Sequence, residues 1–264
     1  MRILLFGETG TIGQATCRSL LMHGHQVVSF IRSQSAQKAE EFSYPSSAHL
    51  ERRYGEICNL KSTLDSGFRG EQFDAVISCI ASRTGATKDA WNIDFLANSH
   101  ILQGALENRV EHFILLSAIC VQKPKLAFQQ AKLAFESRLI ESSITYSIVR
   151  PTAFFKSLSG QIERLRQGKP FLMFGDGTLT RCKPISDGDL ANYLVSCLEN
   201  SELQNKILPI GGPGPAISPL EQAQYLFKLL NKPARFRCIS PRLLDVVVTA
   251  LSVLGRLLPG LQEK

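Results

Sequence analysis

Arg2-Ile3-Leu4-Leu5-Phe6-Gly7-Glu8-Thr9-Gly10-Thr11-Ile12-Gly13 is the stretch on which the fold turns. Residues 2–6 form a short apolar run, fit for a buried parallel strand. Glycines at 7, 10 and 13 follow, and a helical pattern runs over about 12–22 with Gly24 as its stop. Strand, glycine turn and helix in this order bring backbone N–H groups up to a phosphate. Gly7 permits the tight turn, Gly10 lets backbone approach a pyrophosphate, and Gly13 lets the helix pack against the sheet. A bare glycine triplet is weak; in this context it is strong. Gly7, Thr9, Gly10, Thr11, Ile12 and Gly13 are therefore expected to bind a dinucleotide.

The rhythm continues outward. Strands are expected over 26–31, 50–54, 73–79, 112–117 and 145–149, with helices over 88–108 and 125–142 between them. Six alternations specify an α/β protein: a Rossmann-type, doubly wound parallel sheet with helices on both faces. After Pro151 the pattern changes. Helices are expected over 157–167 and 187–199, a strand over 206–210, and a helix start at Ser218-Pro219-Leu220-Glu221, with Ser218 as cap and Glu221 closing the box. This reads as a dinucleotide-binding domain over 1–155 and a smaller C-terminal substrate-binding lobe over 156–264, interleaved with the sheet as one structural unit.

The 264 residues carry 30 Lys and Arg against 23 Asp and Glu, a net charge of +7 that favours an anionic ligand. The basic residues are scattered and show no aromatic-interleaved stripe, so nucleic acid is not expected as a partner. Seven cysteines, an odd number without a Cys-x-x-Cys pair, point to free thiols in a reducing compartment. No histidine or cysteine spacing calls for a metal. The chain enters a strand directly after Met1, so no leader peptide is expected.

Nucleotide ligands in such sheets sit beyond the carboxyl ends of the strands. At the end of the second strand, where an NAD-preferring protein places an acid for the ribose 2′-hydroxyl, stands Arg32. It is suited to a 2′-phosphate, with Lys38 assisting, which points to NADPH; a solvated arginine is the alternative. Glu56, after the third strand, is positioned toward the adenine. Cys79 and Ala81, after the fourth, are expected along the ribose and pyrophosphate.

Ser117 ends the fifth strand, beside the expected nicotinamide. Lys132 follows on the next helix, where its ammonium reaches for the ribose hydroxyls and favours nearby negative charge. Both are the candidate catalytic residues. A short-chain dehydrogenase carries Tyr-x-x-x-Lys here; this chain has Phe128-Gln129-Gln130-Ala131-Lys132. Carbonyl reduction needs a proton donor in concert with hydride arrival, and Phe128 has none. An activated carbon–carbon double bond needs less.

The blocks Ser117-Ala118-Ile119-Cys120-Val121-Gln122-Lys123-Pro124, Phe128 to Leu133, Tyr146 to Leu158, Met173-Phe174-Gly175-Asp176-Gly177 and Cys182-Lys183-Pro184-Ile185-Ser186 resemble the 3,8-divinyl (proto)chlorophyllide a 8-vinyl reductases. These belong to the atypical, NmrA-like branch of the short-chain dehydrogenases. The resemblance implies NADPH-dependent reduction of a C8 vinyl group to ethyl on a chlorophyll precursor. One departure is Glu8, where related loops commonly carry Ala. Plant members carry transit peptides, so a bacterial or cyanobacterial cytoplasmic protein is expected, or a plastid one already trimmed.

A planar, apolar tetrapyrrole needs a broad hydrophobic pocket with a few polar anchors. Phe154, Phe155, Lys156, Met173 and Phe174 are the candidates, and core packing is the competing reading for the apolar ones. The apolar stretch 243–258 is too short and interrupted for a membrane span and is expected as a lid helix or a peripheral membrane contact. Two other functions fit the missing tyrosine: a non-catalytic NADP-binding regulator of the NmrA kind, and a reductase of another conjugated alkene. A nucleotide-sugar epimerase would need that tyrosine.

Overall fold

Ile3, Leu4, Leu5 and Phe6 are all fully buried, so the first strand has no polar face. Consecutive residues are buried in this way only in a strand covered on both sides. The computed structural model describes residues 1–44 and 47–242. Its strands are β1 (Arg2–Phe6), β2 (Gln26–Arg32), β3 (Leu50–Gly55), β4 (Ala75–Ser78), β5 (His112–Leu116), β6 (Thr145–Pro151), β7 (Phe171–Phe174), β8 (Lys206–Ile210) and β9 (Phe236–Ile239). The longer helices are α1 (Thr11–Met22), α2 (Asn98–Glu107), α3 (Ala127–Ile140), α4 (Asp187–Glu199) and α5 (Pro219–Leu229).

The main sheet runs in the order β3-β2-β1-β4-β5-β6-β8, and every pairing is parallel. Ile3 and Leu5 face a core completed by Cys17 and Leu20 of α1 and by Leu190 and Leu194 of α4. Leu4 and Phe6 face the opposite core, with Ile101 and Leu102 of α2 and Phe135 and Leu139 of α3. Each fully buried Leu or Phe contributes about 1.5–3 kcal/mol relative to exposure. The strand order reverses between β1 and β4, and the crevice at that point is where such sheets bind ligands.

The described chain forms two units. One comprises Met1–Phe154 and Ile185–Gly212; the other begins as Phe155–Pro184 and resumes at Pro213. Residues 185–212, expected in the smaller lobe, thus return to the sheet: β8 pairs with β6, from Ser147↔Lys206 to Pro151↔Ile210. In the smaller unit β7 pairs in parallel with β9, a strand without a sequence signal, over a core of Leu165, Phe171, Met173, Ala223 and Phe227. Ser218 and Glu221 form the expected capping box at the start of α5.

The helix expected over 88–108 is not uniform. Between a short turn at Thr87–Ala90 and α2 lies a wider, π-helical stretch, Trp91–Ala97. The Asn98 amide donates to the carbonyls of Ile93 and Asp94, at 3.3 and 3.1 Å, and Ser78 donates to Asn98 Oδ1 at 2.6 Å. The side chain thus fills the widened turn and ties it to the end of β4. No helix among the described residues is long and apolar enough to cross a membrane. The stretch 243–258, expected as a lid or membrane contact, lies outside the described residues.

Candidate functional site

A cavity of about 330 Å³ opens at the carboxyl ends of β1, β2 and β4. Of the residues expected to hold the cofactor, Gly7, Thr9, Gly10, Arg32, Cys79 and Ala81 line it, together with Lys38. Thr11, Ile12 and Gly13 form the first turn of α1, and Ile12 packs in the core. Glu56 is exposed and not among the lining residues; its backbone N–H is taken by Ser62 Oγ. Glu8, Phe30, Ile31 and Ile80 also line it, and Ser35, Ile57, Arg83 and Ile93 join the wall in places that no motif marked.

The glycine cradle fits a pyrophosphate. Gly7 has φ +99°, and a Cβ there would stand 2.8 Å from the carbonyl carbon of Cys79. A Cβ on Gly13 would stand 2.0 Å from the Gly7 carbonyl oxygen. No side chain caps α1 at Gly10 and its first turn holds no acid, so nothing within the helix itself opposes an anion at its positive end. Arg32, Arg83 and Lys38 add positive charge to the wall. Lys38 Nζ also donates to the Thr9 carbonyl at 2.7 Å, which steadies the loop.

Glu8, the departure in the loop, turns its carboxylate inward. It is fully buried, with Arg52 Nη2 at 2.7 Å and Tyr44 Oη donating at 3.0 Å. The charge is neutralised by Arg52 rather than opposed to a phosphate. Burial, and then the Glu8 charge, push the Cys17 thiol up to about 12. Burial likewise pushes the Cys79 thiol up to about 12, so the cavity wall there is a neutral thiol.

Both candidate catalytic side chains are held from within. Lys132 is buried, and its Nζ lies 3.0 Å from Oδ1 of the fully buried Asp94. The Ser117 hydroxyl donates to Glu136 Oε1, and Arg150 closes on the same carboxylate with Nε at 3.2 Å and with Nη2. Phe128, Lys132 and Glu136 stand at i, i+4 and i+8 along one face of α3. Neither Ser117 nor Lys132 is among the residues lining the described cavity.

The residues expected to hold the substrate separate. Phe154 packs against the main-sheet core and bridges to Ile185. Met173 is a core residue of the smaller unit, 6% exposed, and lines a depression together with Phe174. Phe155 and Lys156 line a different, largely apolar groove of about 680 Å³ with Ile162, Tyr225 and Leu226.

Residues 7–201 match the NAD(P)H-binding family. The chain belongs to that family. Across 99% of its length it is 43% identical to the chloroplast divinyl chlorophyllide a 8-vinyl-reductase of Cucumis sativus, and across its full length 41% identical to that of Arabidopsis thaliana. It spans about two thirds of those relatives, 64% and 66% respectively. Its fold is similar to that of UDP-glucuronic acid 4-epimerase from Bacillus cereus in complex with NAD. The TM-score is 0.74 at 20% identity, covering 91% of this chain and 86% of the other. The family match makes a nicotinamide dinucleotide the cofactor.

Sequence reading missed Asp94, Glu136 and Arg150, the groups that govern Lys132 and Ser117. The signal for Glu136 was present in the helical spacing from Phe128. Asp94 lies in a stretch whose periodicity marks only a helix, and its partner is far along the chain.

Proposed function

We propose that the chain is an NADPH-dependent reductase that converts the C8 vinyl group of divinyl chlorophyllide or protochlorophyllide to ethyl. The observation behind this reading is the near-full-length likeness to reductases of that name, at 41–43% identity. The residues agree with it. NADPH supplies the hydride. Arg32 and Arg83, with Lys38, favour the 2′-phosphate at the end of β2. The turn at Gly7–Gly10 and the start of α1 receive the pyrophosphate.

At the reacting end Phe128 offers no proton, and Ser117 has committed its own to Glu136. Lys132 spends one of three N–H donors on Asp94 and keeps the others for the nicotinamide ribose and for charge developing on the conjugated substrate. This donor set suits a conjugated alkene better than a carbonyl. Phe155, Lys156 and the apolar groove they line are the part of the smaller unit suited to a flat pigment with a carboxylate.

Incubation with divinyl chlorophyllide and NADPH is expected to move the Soret band to shorter wavelength, and NADH is expected to serve far less well. A Soret band that stays in place while NADPH is bound would instead support the second reading, a non-catalytic NADP-binding regulator. That alternative draws on the same engagement of Ser117 and Lys132 with buried carboxylates.

A further inference from the structure

Glu136 is 2% exposed and is held by two N–H groups of Arg150. A carboxylate in that embrace accepts hydrogen bonds and donates none. The Ser117 hydroxyl has a single proton, and that proton points at Glu136 Oε1. Ser117 is fixed in other respects too: its backbone N–H donates to the Val149 carbonyl at 2.7 Å, which continues the β5–β6 ladder to the carboxyl ends of the strands. What remains of Ser117 for any ligand is its lone pairs.

We propose that Glu136 is a positioning residue that sets the polarity of Ser117, making it a hydrogen-bond acceptor for the carboxamide N–H of the nicotinamide ring. This deepens the reductase reading and rests on its placement of the nicotinamide beside the end of β5. A serine that is to polarise a carbonyl substrate must donate. Here the buried carboxylate removes that option, and Arg150 keeps the carboxylate from taking any other role. The site is thereby turned from substrate polarisation to cofactor orientation, in keeping with the absence of a phenol at Phe128.

The test uses the full chain and two reduced dinucleotide phosphates: NADPH and its 3-acetylpyridine analogue, in which a methyl group replaces the carboxamide NH2. Binding is read by fluorescence titration and needs no pigment, so the result is independent of whether vinyl reduction is observed. The wild type is expected to prefer NADPH by about tenfold, the size of one buried hydrogen bond. Ser117→Ala is expected to bring the ratio close to one. Glu136→Gln is expected to do the same: its oxygen turns to Arg150, its NH2 meets Ser117, and the serine proton is released toward the ligand.

A purely structural role would lower the melting temperature and both affinities together and leave the ratio unchanged. A wild-type ratio near one, or a ratio that survives both substitutions, would overturn the proposal. If Glu136→Gln does not fold, Ser117→Ala decides alone. Failure of the wild type to bind either dinucleotide would overturn this inference and the reductase reading together.

Discussion

Lys132 Nζ lies 3.0 Å from Asp94 Oδ1, while Asp94 Oδ2 is buried with no hydrogen-bond partner among the described residues. Apart from the ammonium, the carboxylate has among the described residues only the Ser82 N–H, at a long 3.4 Å. Lys132→Ala therefore strands a buried charge, a change that costs about 3–5 kcal/mol. The double variant Lys132→Met, Asp94→Leu removes both charges and is expected to recover most of that loss in urea unfolding. Equal destabilisation of single and double variants would show that the pair is not coupled. Activity of Lys132→Ala is meaningful only at matched folded fraction, where turnover is expected to fall far more than NADPH affinity.

Glu8 and Arg52 form a second buried pair, at 2.7 Å, beneath the glycine loop. Glu8→Ala restores the residue common in related loops yet leaves Arg52 and Tyr44 without their acceptor. A loss of about 2–4 kcal/mol is expected, with NADPH affinity within about threefold of wild type once the protein is folded. A large, selective loss of affinity with unchanged stability would mean that the carboxylate works at the cavity instead.

The framework of the fold was legible from residues 2–13 because local rules suffice there: consecutive apolar residues require a doubly covered strand, and the glycine spacing requires the turn. The helix Asp187–Glu199 and the strand Lys206–Ile210 fall where their patterns put them. Which strand β8 would join was not legible, since its parallel pairing with β6 is non-local and leaves no mark on either strand. The same applies to the site. Arg32 follows from position after β2, whereas Asp94, Glu136 and Arg52 acquire their roles only from partners distant in sequence. Phe154 and Met173 show a further limit: an apolar side chain that packs a core and one that walls a pocket have the same chemistry.

Gly13 packs so closely on Gly7 that no side chain fits. Gly13→Ala would put a methyl 2.0 Å from the Gly7 carbonyl oxygen, which is backbone and has no rotamer to yield. The start of α1 must move away from the sheet. Dinucleotide affinity is expected to fall at least a hundredfold, with a drop in melting temperature. Gly10→Ala meets its nearest atom at 3.3 Å and is expected to cost much less. Similar affinities for the two variants would sink the cradle as the phosphate site.

Arg32 ends β2 at the cavity wall. If it pairs with a 2′-phosphate, Arg32→Ala removes a charge-assisted hydrogen bond worth about 1.5–3 kcal/mol. NADPH affinity is expected to fall about 10- to 100-fold while NADH affinity stays within twofold. Parallel losses for both dinucleotides would assign Arg32 to the loop and not to the phosphate.

His112, 5% exposed, carries a pH dependence of its own. Burial pulls its imidazole from 6.5 down to about 4. Ser147 Oγ donates to the Leu203 carbonyl at 2.8 Å, so it must accept from His112 Nε2 at 2.9 Å. The ring is thus neutral with its proton on Nε2, and protonation would bury a charge on Nδ1. A depressed folded-state value means that this stability is complete above pH 6.5 and is lost as pH falls toward 4. At 1.36 kcal/mol per unit the loss approaches ~3 kcal/mol. Urea unfolding across that window is expected to show the decline in the wild type and a shallower slope in His112→Gln. His25, which burial also holds below its ordinary value, contributes equally to both proteins. Identical slopes for the two would place the acid sensitivity elsewhere.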